Sequence, residues 1–152
     1  MNPITSNGYL LDTSILSALA PDKPAPPSEF AAWLRARPDR LFIPCIAVAE
    51  VEQGICKLRR AGGAARADRL ADWVNGLIER YADRVLPLDA AACRMAGRLA
   101  DTAIAIGRHP GFPDVAIAAL AQQAGLIILT RNIRHFIPLG VASVDPFEQL
   151  PD

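Results

Sequence analysis

Short apolar runs alternate with longer stretches of helical period along this chain, and the two patterns predict different elements. Gly8 to Asp12 reads as a strand and Thr13 to Leu19 as a short helix. The segment Pro21-Asp22-Lys23-Pro24-Ala25-Pro26-Pro27 breaks the chain, because each proline ring removes a backbone donor and stiffens its neighbours. Ser28 is placed to cap a helix to about Ala36, with Phe30, Trp33 and Leu34 at helical spacing. Leu41-Phe42-Ile43 follows as a buried strand. A helix from about Ala47 to Arg60 then stops at Gly62-Gly63.

Residues 64–83 predict a second long amphipathic helix, with Leu70, Trp73, Val74, Leu77, Ile78 and Tyr81 on one side. Val85-Leu86-Pro87-Leu88 reads as an edge strand, since its proline cannot serve a central ladder. Asp89 is positioned to cap a helix to about Ile106, and Gly107 to Gly111 forms a loop. Pro113-Asp114 opens a helix that ends near Ala124-Gly125. Leu126 to Thr130 is the clearest buried strand, and Val141 to Val144 a last short one. About five strands separated by helices predict parallel, right-handed crossovers with helices on both faces. The expected fold class is α/β, a three-layer sandwich around a mostly parallel five-stranded sheet, with residues 1–152 as one domain.

Composition sharpens this picture. Hydrophobic residues make up 51% and charged ones 21%, the balance of a folded rather than a disordered chain. Sixteen basic residues match sixteen acidic ones, so no overall basic field attracts nucleic acid, and any RNA contact needs a local patch. Cys45, Cys56 and Cys93 form no CxxC pair and lie in apolar or Ala-rich stretches, which predicts small buried hydrophobes in a reducing compartment. His109 and His135 lack zinc-ligand spacing. The N-terminus lacks a basic region followed by an apolar run and cleavage site, and no apolar run approaches the ~20 residues of a membrane span. The expected location is cytoplasmic, without a membrane partner.

Candidate chemistry centres on three acids. Asp12 stands where the first strand stops and a helix starts, the edge at which open α/β sheets bind ligands; capping that helix is the competing duty. Glu50 sits in the apolar stretch Ile46-Ala47-Val48-Ala49-Glu50-Val51, where a charge requires a partner. Glu52, about 200° further round the same helix, faces solvent. Gly54, one turn after Glu50, would let a backbone or ligand approach. Asp114 precedes the apolar helix Val115-Ala116-Ile117-Ala118-Ala119-Leu120-Ala121, where it would either serve a site or simply answer the helix macrodipole. Thr130-Arg131-Asn132 would emerge beside Asp12 if the first and fourth strands are neighbours. Carboxylates gathered at one edge repel when empty and so share a proton or hold a cation.

Taken together, Leu10-Leu11-Asp12-Thr13-Ser14, Ala49-Glu50-Val51-Glu52-Gln53-Gly54, Pro113-Asp114-Val115-Ala116-Ile117-Ala118-Ala119 and Leu129-Thr130-Arg131-Asn132 with Phe136 resemble the PIN-domain family, VapC-type and FitB-like toxins in particular. The resemblance runs from Tyr9 to about Phe147. It implies a magnesium- or manganese-dependent endoribonuclease, the toxin of a toxin–antitoxin pair. Asp12, Glu50 and Asp114 match the family's metal-binding acids. Asn132 falls where many relatives carry a fourth Asp, which puts a second metal in doubt. Thr130 matches an orienting hydroxyl, and Arg131 is the better candidate for a phosphate contact. Lys57, Arg59, Arg60, Arg66 and Arg69 around Gly62-Gly63 read first as a solvated helix tip.

The resemblance further implies a homodimer and a VapB-type antitoxin, for which Trp33, Leu34, Ile55 and Leu58 offer groove residues, Trp33 reading more readily as core. Aspartyl-phosphate proteins also place Asp at the end of the first strand. They need a late lysine, however, and the lysines here are Lys23 and Lys57. A dinucleotide-binding domain is excluded because no G-x-G-x-x-G follows the first strand. The alternative from another class is a catalytically weak or silent PIN fold that acts only as a binding module.

Overall fold

The computed structural model describes residues 6–152; residues 1–5, part of the N-terminal stretch read above for a leader, lie outside the described residues. Five strands form one sheet: β1 (Tyr9–Leu11), β2 (Leu41–Pro44), β3 (Val85–Leu86), β4 (Ile127–Leu129) and β5 (Ser143–Val144). Their order is β3-β2-β1-β4-β5 and every neighbouring pair is parallel. The helices are α1 (Thr13–Ala18), α2 (Ser28–Arg35), α3 (Cys45–Arg60), α4 (Ala64–Tyr81), α5 (Ala90–Ala105), α6 (Phe112–Ala124) and α7 (Ile133–Phe136).

The period-2 alternation of the strands builds the layers. Leu10 and Ile128 face one side and pack with α5, α6 and Phe136. Tyr9, Leu11, Leu41, Ile43 and Leu129 face the other and pack with Ile15, Leu16, Phe30 and Trp33 of α1 and α2. A smaller cluster, Ile55, Ala67 and Val74, joins α3 to α4. Gly8 lets β1 start this close to β2: its φ is +150°, and a Cβ there would stand 2.5 Å from the Arg40 carbonyl oxygen.

The strand edges behave as their residues require. The edge placement expected of Val85 to Leu88 holds, but the strand is shorter than expected: β3 has only two residues and Pro87 falls just past it. Asp89 caps α5, its carboxylate accepting the Ala92 N–H at 2.8 Å. Helix α6 has residues 115–121 all buried, as its apolar circumference predicted.

Several expectations are corrected. Ser28 is the first residue of α2 and not its cap; Pro27 holds the cap position, its fixed φ starting the turn and its carbonyl accepting the Ala31 N–H. Helix α3 begins at Cys45, directly on the end of β2. Ile78 is 41% exposed: α3 and α4 form a hairpin, and Ile78 falls opposite the first turn of α3, where the covering helix is only starting. Cys56 and Cys93 are exposed and Cys45 is intermediate, so the expected burial fails; the neighbouring alanines, Ala92 and Ala96, fill the core side of α5 instead. Gly54 has open space where a Cβ would project, so no backbone approaches it. Helix α7 and the turn Ile137–Leu139 lack a sequence signal because a single turn carries no period, yet they bury Phe136 and Leu139.

Candidate active site

After β1 the chain passes to β2 and β3 on one side, then crosses to β4 and β5 on the other. The crevice at that reversal lies between the carboxyl ends of β1 and β4. Asp12 follows β1 there, its N–H donating to the Leu129 carbonyl. It stands at the cap position of α1 but makes no side-chain cap hydrogen bond, so its carboxylate does not perform the capping duty. Only 4% exposed, it accepts on Oδ2 from Ser14 Oγ and Thr130 Oγ1, each at 2.8 Å.

Both hydroxyls are themselves oriented. Ser14 Oγ accepts the Arg131 N–H at 3.0 Å, and Thr130 Oγ1 accepts the Asn132 N–H at 2.9 Å. With a lone pair of each thus occupied, their hydrogens are directed to Asp12. Among the described residues no hydrogen bond reaches Oδ1, yet no buried side-chain oxygen lacks a partner, so Oδ1 opens to solvent. One carboxylate oxygen is fixed and the other is free.

Asp114 lies in the first turn of α6, with Pro113 ahead of it. Burial raises its pKa above the ordinary carboxylate value. His135 opposes that rise by charge and hydrogen bonding, while the Asp12 charge adds to it. Asp12 and Asp114 therefore act on one another across the crevice. His135 Nδ1 lies 3.1 Å from Asp114 Oδ2, a pairing the sequence reading missed. Its trace is positional, as His135 follows Asn132 by three residues on the single turn of α7.

Glu50, half-buried on α3, accepts from Thr13 Oγ1 at 2.6 Å. It lines a separate cleft with Gly54, Ile55 and Leu58, of about 260 Å³. Glu52 is exposed, as expected. Asn132 joins the site through its backbone; its side chain makes no hydrogen bond among the described residues. The Arg131 guanidinium lies 4.4 Å over the Phe147 ring. In the tip cluster, Arg59 pairs with Asp68 and Arg66 with Asp22.

The structure thus joins Asp12 to Thr130 and Ser14, opposes Asp12 to Asp114, and sets Glu50 one residue away through Thr13. Among the described residues no three Asp, Glu, His or Cys side chains close on one point. Magnesium does not need three: it keeps several waters and is held by one or two carboxylates plus substrate phosphate. The free Oδ1 of Asp12 and the repelled carboxylate of Asp114 fit that demand.

Comparison with known proteins agrees with this fold. The family model described as PIN domain matches residues 9–137. VapC ribonuclease Y4jK of Sinorhizobium fredii is 30% identical over 140 residues, 91% of this chain and 97% of that protein. Toxin FitB of Neisseria gonorrhoeae is 27% identical over 139 residues, 91% and 97% of the two chains. The crystal structure of FitAcB from Neisseria gonorrhoeae superposes with a TM-score of 0.79 at 26% identity, covering 91% of this chain and 98% of that one.

Proposed function

The chain belongs to the PIN-domain family, and from that premise we propose that it is a divalent-metal-dependent endoribonuclease acting as the toxin of a toxin–antitoxin pair. The observation that carries the reading is the Asp12 carboxylate at the sheet's crossover point. Two pre-oriented hydroxyls clamp one of its oxygens, the other accepts no hydrogen bond among the described residues, and the Asp12 charge acts on Asp114. The relatives named ribonuclease and toxin support it.

Asp12 Oδ1 and Asp114 would hold Mg²⁺ or Mn²⁺, with Glu50 reaching it through water. When bound, such an ion lowers the pKa of a nearby water and offsets charge on the phosphoryl group. Thr130 and Ser14 keep Asp12 from rotating. Glu50, anchored at Oε1 by Thr13, orients the attacking water with its other oxygen. Water adds to phosphorus as the bond to the 3′ oxygen breaks, leaving 5′-phosphate and 3′-hydroxyl ends. Asn132 carries no charge, so this chain supplies one carboxylate fewer than relatives with Asp there.

The partner is a VapB-type antitoxin. The cleft of Ile55, Leu58, Leu70 and Trp73 also contains Glu50, so an apolar segment lodged there would reach the active site. Leu34 lines a second apolar groove, of about 450 Å³. Trp33 is core, set edge-to-face against Tyr9 with its indole N–H on the Pro151 carbonyl. A homodimer of single-domain chains is part of the proposal, and sedimentation of the purified protein tests it.

The deciding experiment is RNA cleavage under Mg²⁺ and Mn²⁺ titration, with Asp12→Asn alongside wild type. Metal-dependent cleavage that Asp12→Asn lacks, with 3′-hydroxyl ends, supports the reading. Products bearing 2′,3′-cyclic phosphate would reject it. No cleavage by folded wild type would leave the silent binding module.

A further inference from the structure

We propose that the cleft beside Asp114 is a subsite for one nucleotide of single-stranded RNA, its phosphate seated by Arg108 and Arg134 and its base stacked on Phe112. The identity of the strand rests on the nuclease reading above; the anion site itself does not.

The cleft, about 260 Å³, is walled by the loop between α5 and α6 on one side and by α7 on the other. Arg108, His109, Gly111, Asp114, Arg134 and His135 line it. Two guanidinium groups face one carboxylate, and that carboxylate is already matched to His135. The surplus is therefore positive, in a chain whose total charge is zero.

Six of the other arginines have work elsewhere, and the rest do not line this cleft. Arg59 and Arg66 form ion pairs, while Arg37, Arg40, Arg84 and Arg131 lie over aromatic rings. Among the described residues, Arg108 and Arg134 make no side-chain hydrogen bond, ion pair or ring contact. Their planar forks are free for a multidentate oxyanion, and a phosphate is one. Gly111 at the start of α6 puts the helix's unpaired N–H groups on the same wall, adding to the attraction for an anion.

Phe112 separates a nucleotide from other anions. It follows Gly111 directly and is 61% exposed, although a phenyl ring gains nothing from water. Phe112 is not in the cleft lining, but Gly111 next to it is. An exposed aromatic at the rim of a cleft with free arginines is the combination that binds single-stranded nucleic acid without sequence preference, by stacking plus phosphate contact. Because Asp114 forms part of the wall, a strand whose scissile phosphate lies at Asp12 and Asp114 would place its neighbouring nucleotide in this cleft.

The test is fluorescence anisotropy of a labelled tetraribonucleotide with the full chain in EDTA, which prevents cleavage, over a range of salt. Arg108→Gln and Arg134→Gln should each weaken binding about tenfold and reduce the slope of log affinity against log salt by about 1. Phe112→Ala should weaken binding about tenfold with the slope unchanged. Arg108→Lys should keep the slope, and Arg69→Gln at the distant helix tip should change nothing.

Affinities and slopes of the two arginine variants equal to wild type overturn the subsite, as does wild type that binds no RNA. A polyglutamate peptide that binds as tightly and depends equally on both arginines also overturns it, since the cleft would then take carboxylates. If the variants bind as wild type does while wild type cleaves RNA with Mg²⁺, the subsite fails and the nuclease stands. If RNA binds through Arg108 and Arg134 but is never cleaved, the subsite stands and the nuclease reading fails.

Discussion

A carboxylate at an apolar sheet edge needs its lone pairs answered, and Asp12 receives two hydroxyls on one oxygen and none on the other. That asymmetry makes Thr130 more than filler: among the described residues it is, with Asp12, one of two buried polar side chains, and it holds the Oδ2 side of the carboxylate. Thr130→Val keeps the shape and removes the donor. We expect cleavage to fall about 10- to 100-fold, the usual cost of losing a group that orients a ligand, with only Ser14 left to hold Asp12. Steady-state cleavage rates at saturating metal and in metal titration would show it.

Asp114 yields a prediction of sign. Its pKa is raised in the fold, chiefly by burial, so the native state disfavours the ionised form. The associated stability is present below the unfolded pKa and is lost as pH rises through the folded one. Metal-free Asp114→Asn, which mimics the neutral acid, should therefore melt at or above the wild-type temperature near neutral pH. That advantage should shrink as pH falls toward the ordinary carboxylate range. Thermal melts across pH in EDTA decide the matter, and a variant less stable than wild type at neutral pH would contradict it.

Among the elements, those with a full period or a clear end signal were legible in sequence. Helix α6 was readable because seven consecutive small or apolar residues leave no polar face. The cap of α5 was readable because Asp89 needs only its own backbone three residues on. Asp89→Ala should accordingly cost about 1 kcal/mol, measured by chemical denaturation. What failed was decided by packing. Ile78 belongs to the apolar stripe of α4 but lies where α3 has only begun, and α7 is one turn held by Phe136 in the core. The cysteines read as buried from their neighbours, yet a helix in an Ala-rich stretch still has an outer face.

For the whole molecule, the toxin reading concerns what the chain does in a cell. Expression without an antitoxin should slow growth, Asp12→Asn should relieve the slowing, and coexpression of a cognate antitoxin should restore wild-type growth. Growth curves of the three strains measure this. Equal growth of wild type and Asp12→Asn would argue against a toxic nuclease. Among the described residues no helix is long and apolar enough to cross a membrane.

Sequence alone determined the alternation of strands and helices, the edge position of β3 and the candidate acids, because period, capping and proline chemistry act over a few residues. Tertiary structure decided which partners those acids meet. Thr130 donates to Asp12 across 118 residues of chain, an encounter that exists only because β4 settles beside β1. The same pairing turned Asp12 from a possible helix cap into a clamped carboxylate, drew Asp114 into its field, and left Glu50 to Thr13. Local propensity names the groups; only the order of strands in the sheet chooses their partners.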